Sequence, residues 1–165
     1  MEHTGLWVAI FIGIFLLGSI FGLRVSPREK ALGMMREQAR KMGLNPRLVV
    51  APDWTGVPMA TESRASMVAY YSVLMPDTRL PLMRAKIEEK KLKLIQGDEK
   101  FNDFPIALKG IYAIDMQANY VGIYWDEESD LKASQLDDMK AYLLLSYHLA
   151  GTLLGLILHP NKYPH

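Results

Sequence analysis

A chain of 165 residues is about one domain's worth. Half of it is hydrophobic against 22% charged, a composition that excludes a disordered tail. The formal net charge of +1 excludes nucleic-acid binding driven by bulk charge, and the lack of cysteine excludes a disulfide framework, a thiolate zinc site and a cysteine nucleophile.

After a short N-terminus at 1–5, residues 6–23 read LWVAIFIGIFLLGSIFGL without a charged group. At the length where roughly 20 apolar residues span a bilayer, this predicts an N-terminal transmembrane helix. MEHTG carries no Lys or Arg and no A-x-A motif follows, so the segment reads as an uncleaved anchor, not a signal peptide. Seven basic residues against two acids lie between Arg24 and Val50. Basic flanks stay in the cytoplasm, which predicts a single-pass protein of a bacterial inner membrane, N-terminus outside and main domain cytoplasmic. Gly5, Ala9 and Gly13 form one small-residue stripe of the anchor and Gly18 with Gly22 another, spacing that lets helices approach closely.

Next comes a basic juxtamembrane helix over 24–43. Ser26-Pro27-Arg28-Glu29 combines an N-cap, a first-position proline and a capping-box acid, and Gly43 before Asn45-Pro46 marks the end. Ala31, Leu32, Met35, Ala39 and Met42 share one face. Two readings stay open for the opposite face. Arg24, Arg28, Lys30, Arg36, Arg40 and Lys41 would rest on anionic lipid, each worth about 1 kcal/mol near the surface. Alternatively, the apolar face packs on the following domain and the charges are solvated.

Residues 44–165 predict a cytoplasmic α+β domain with a small, mainly antiparallel sheet. A short strand at 48–51 precedes a Pro- and Gly-bearing loop, and a second strand runs over 67–74 to Pro76. Residues 80–90 stay ambiguous, because Pro81 suits a helix start, while 91–96 alternates as a strand. Residues 111–116 and 120–125, split by Gln117-Ala118-Asn119, predict an antiparallel hairpin. Its second arm points Val121, Ile123 and Trp125 to one face and Tyr120 and Tyr124 to the other.

A long apolar C-terminal helix is expected at about 130–158. Residues 141–158 contain no Asp, Glu, Lys or Arg. They read either as a helix buried on the hairpin's Val121, Ile123 and Trp125 or as a second span. In the span, Gly151 and Gly155 would face Gly18 and Gly22. His148 speaks against a span, since an ionisable group in mid-bilayer is costly.

No phosphate-binding loop, dinucleotide fingerprint, zincin motif or nucleophile elbow occurs, and no metal or cofactor is expected. His159 and His165 do not make a metal site, and Asp126, Glu127, Glu128 and Asp130 read as a solvated acidic turn. The SPREK helix entry and the YVGIYWDE strand, with a single anchor ahead of them, loosely resemble functionally unassigned inner-membrane proteins of Gram-negative bacteria. In outline the chain is also similar to the auxiliary subunit of the Sec translocase, although LIQGDE here lies far from the anchor. The resemblance implies no activity. The expected function is a membrane-anchored accessory or interaction protein associating with an inner-membrane complex. Its expected partners are membrane lipid and a membrane protein or second copy, with no nucleic acid. The alternative is a membrane-tethered enzyme or small-ligand sensor with a pocket lined by Trp54, Tyr70, Tyr71, Tyr124 and Trp125 near Asp126.

Overall fold

The computed structural model describes residues 3–22, 26–58, 66–76 and 78–158, with side chains described over 5–19 of the first helix and as far as 148 of the last. Among these residues the chain forms three α-helices and a six-stranded, wholly antiparallel sheet. The helices are α1 (His3–Gly22), α2 (Pro27–Lys41) and α3 (Leu136–Leu158). The strands are β1 (Asn45–Val50), β2 (Met67–Leu74), β3 (Leu80–Glu88), β4 (Lys91–Gln96), β5 (Ile111–Ala118) and β6 (Tyr120–Trp125), in the spatial order β1-β2-β6-β5-β3-β4.

The first helix corrects the sequence reading. Among the described residues no helix is long and apolar enough to cross a membrane. The expected transmembrane helix over 6–23 is not supported. The single-pass topology and the inner-membrane placement rested on that anchor and fall with it. Nor does α3, with Asp137, Asp138 and Lys140 in its first turns and His148 near its middle, meet that measure among the described residues. What α1 does present is uncovered apolar surface, with Trp7 62%, Phe11 69% and Phe15 75% exposed.

The second helix begins where its capping residues place it. The Ser26 N–H donates to the Glu29 carboxylate at 3.3 Å, and Pro27 occupies the first turn. At the other end Gly43 takes a φ of +83°, and the Leu44 N–H returns to the Ala39 carbonyl at 2.9 Å. That left-handed residue and six-residue closure satisfy the last carbonyls and turn the chain into β1.

Strands β2, β5 and β6 are buried on both faces. On the first face Ala69, Tyr71, Ile114, Met116, Val121, Ile123 and Trp125 pack with Met35 and Ala39 of α2 and Leu136, Met139 and Leu143 of α3. Helices α2 and α3 supply this layer, and large side chains fully buried there stabilise by about 1.5–3 kcal/mol each. On the second face Val68, Tyr70, Ala113 and Tyr124 are covered by Trp54 and Val57, from the segment between β1 and β2.

Two elements differ from the sequence reading. Residues 80–88 are a strand, because Leu80, Met83 and Ala85 enter the core while the backbone pairs with β4 and β5. The turn into β4 is Glu89-Lys90 with φ of +51° and +61°, a two-residue hairpin without the usual Asn-Gly signature. The last helix starts at Leu136, later than expected. The Asp130 carboxylate accepts from the Ser134 hydroxyl at 2.6 Å and the Gln135 N–H at 2.7 Å, organising a turn ahead of it.

Candidate functional site

The second sheet face holds a carboxylate among phenols. Asp115 sits mid-strand on β5, opposite Arg84 of β3 on one side and Gly122 of β6 on the other. It is 7% exposed. The Tyr70 hydroxyl donates to one of its oxygens at 2.9 Å and the Tyr124 hydroxyl to the other at 3.5 Å. Gly122 makes room for this, since a Cβ there would lie 2.0 Å from the Tyr70 hydroxyl oxygen. The two phenol rings lie 4.7 Å apart, Trp54 meets Tyr124 edge-on at 5.5 Å, and the Arg84 guanidinium stands 5.7 Å from the centre of the Trp54 ring.

Burial dominates the electrostatics of this cluster. It pushes the Asp115 carboxyl up to about 6, against the opposing pull of the Tyr70 and Tyr124 hydroxyls and the Arg84 charge. Burial likewise raises both tyrosine hydroxyls above their ordinary value, and the Asp115 charge adds to it. Chemically the cluster is a carboxyl able to change protonation near neutrality, with its oxygens already taken by phenol donors.

A second polar network lies on the helix-covered face. Arg36 of α2 grips Glu127 with two parallel bonds, Nε at 2.8 Å and Nη2 at 2.5 Å, and the Tyr71 hydroxyl donates to the same carboxylate at 2.8 Å. Glu127 is 6% exposed, so the pairing is what makes its burial tolerable. The bond to Glu127 holds the Arg36 guanidinium above its ordinary range. Arg28 forms a further ion pair with Glu128. Together these pairs fasten α2 to the turn after β6.

An open cavity of about 350 Å³ adjoins this network, lined by residues including Leu32, Arg36, Met67, Tyr112, Trp125 and Glu127. Trp125 is 1% exposed, and its indole N–H has no hydrogen-bond partner among the described residues. Asp115 does not line this cavity.

The five aromatics expected to share a pocket are divided by the sheet. Trp54, Tyr70 and Tyr124 meet on the second face. Tyr71 and Trp125 pack edge-on at 5.2 Å on the first. The expected lipid-facing cations are also dispersed: Arg36 and Arg28 engage acids of the body, and Lys41 pairs with Glu37 at 2.7 Å along its own helix. Lys30 and Arg40 are exposed, and Arg24 lies outside the described residues. The apolar side of α2, with Met35 and Ala39, packs into the core. Gly13 and Gly18 of α1 have open space where a Cβ would stand. The surroundings of Gly22, Gly151 and Gly155 lie outside the described residues, as do His159 and His165. Among the described residues no group of three or more His, Asp or Glu is placed to hold a metal.

Sequence reading missed Asp115. The available signals were a carboxylate inside the apolar run IYAIDM and a glycine inside YVGIYW, which marks close approach of another group. No family model, curated protein or solved structure matches the chain.

Proposed function

We propose that the chain is an accessory or interaction protein, held to another polypeptide or to a second copy of itself through α1. The uncovered side chains of α1 carry this reading: Leu6, Trp7, Phe11, Ile14, Phe15 and Leu17 are each more than half exposed. Contiguous apolar surface beyond a few hundred Å² marks an interaction site in a folded protein. The rest of the chain supplies a rigid body for that element, because α2, which follows α1, is clamped to the sheet by Arg36–Glu127 and Arg28–Glu128.

Photo-crosslinking in cells tests the proposal. A photoreactive residue replacing Trp7, Phe11 or Phe15 yields one discrete adduct, whose mass identifies a partner or a dimer, while the same residue at exposed Lys93 or Glu99 yields none. If the α1 positions give no discrete adduct, or the same adducts as the controls, the reading fails.

A further inference from the structure

The segment 51–58 crosses the second sheet face and is tied at its start by the Ala51 N–H, which donates to the Ser66 carbonyl at 2.8 Å. Inside it the Thr55 hydroxyl and N–H both return to the Pro52 carbonyl, at 2.7 and 3.0 Å, and Gly56 turns the chain with a φ of +73°. The segment is thus a small pre-formed turn. Its grip on the sheet comes from side chains, Trp54 on Tyr124 and Arg84 with Val57 beside it. Trp54 thus bears on two residues that flank Asp115, Tyr124, which donates to its carboxylate, and Arg84, which stands opposite it on β3, while Asp115 itself is 7% exposed with the Tyr70 and Tyr124 hydroxyls on its oxygens.

We propose that 51–58 is a strap whose closure over the sheet is coupled to protonation of Asp115, proton uptake tightening it and ionisation loosening it. The sign follows from geometry. Closing the strap removes water from around a carboxyl, and desolvation disfavours the charged form. The closed form therefore binds the proton more tightly than the open one, and linkage requires the proton to favour closure.

The other groups facing Asp115 do not reverse this sign. Tyr70 on β2 and Tyr120 and Tyr124 on β6 stay neutral across the range concerned, their hydroxyls all being raised. The pull of Arg84 on β3 on the ionised carboxyl falls short of the effect of burial. Lys86 on the same strand is engaged by Glu88 at 2.6 Å, Arg47 on β1 lies across from Tyr70, and the strap's own acid, Asp53, is exposed. An open strap bares Arg84, Asp115 and two phenol hydroxyls together. The device thus makes a polar patch on this face available above the Asp115 midpoint and covers it below.

Hydrogen exchange of the full chain, in mild detergent to cover α1, reads the coupling directly. After correction for the intrinsic pH dependence of exchange, protection of the 53–57 amides falls between pH 5.0 and 7.5, with a limit of about ten-fold set by linkage for an opening that returns the carboxyl from about 6 to the ordinary 3.8. Asp115→Asn, always neutral, keeps the high protection at both pH values. Unchanged wild-type protection overturns the proposal, and so does an Asp115→Asn protein with the wild-type pH dependence. Should Asp115→Asn fail to fold, the Asp115 carboxyl midpoint measured by carbon NMR in Trp54→Ala decides. It drops toward 4 if the strap is what excludes water, and a midpoint equal to wild type refutes the coupling.

Discussion

Replacing Gly122 by alanine tests whether the second sheet face is organised around Tyr70 and Asp115. The added Cβ would stand 2.0 Å from the Tyr70 hydroxyl oxygen and 2.2 Å from its Cζ, deep inside van der Waals contact. Gly122 is held on both sides, by Ser72 of β2 and Asp115 of β5, so the backbone cannot retreat and the ring must swing. Swinging forfeits the 2.9 Å bond to Asp115, and a hydrogen bond to a charged group contributes about 1.5–3 kcal/mol. Overpacking adds about 1–3 kcal/mol, and the restricted unfolded chain offsets about 0.4–1 kcal/mol. The expected net loss is about 1.5–5.5 kcal/mol, read as a lower urea midpoint at pH 7.5 with an unchanged slope. In a double-mutant cycle with Tyr70→Ala most of that loss disappears, because the obstacle is gone. A Gly122→Ala protein within about 0.5 kcal/mol of wild type would show that the ring does not occupy this space, and the reasoning about the face would fall with it.

Truncating Arg36 to alanine leaves Glu127 buried against Tyr71 without its cation, so urea unfolding should show a loss of about 2–3 kcal/mol, discounted for the part exposure of Arg36; a loss under about 0.5 kcal/mol refutes the clamp. Changing Glu89-Lys90 to Asn-Gly places residues suited to positive φ at both turn positions, with an expected gain of about 1 kcal/mol and a rise of about 3 °C in Tm; an unchanged or lower Tm contradicts the turn geometry. The Asp115 carboxyl is raised in the fold, so its contribution is most favourable below the unfolded value near 3.8 and is lost as pH climbs through about 6. The stability difference between wild type and Asp115→Asn should therefore shift by on the order of 3 kcal/mol against wild type from pH 3.5 to 7, and a flat difference would place Asp115 in water.

Local chemistry decided much of the architecture before any tertiary contact. The start of α2 is written in Ser26-Pro27-Arg28-Glu29 and its end in Gly43, because caps act through neighbouring backbone groups. Alternation in YVGIYW assigns Val121, Ile123 and Trp125 to one face and Tyr124 to the other, since strand geometry alone dictates a period of two. The rest depended on pairing between distant segments. Residues 80–88, ambiguous by pattern, became a strand because β4 and β5 satisfy both of its edges. The strand order sets Tyr70 beside Tyr124 and over Asp115, and leaves Tyr71 and Trp125 across the sheet from them. Apolar length alone misjudged 6–23, where hydropathy says that a segment avoids water but not what covers it. A buried carboxylate is invisible to composition for the same reason: its solvation, and hence its proton, belongs to the groups that the fold folds over it.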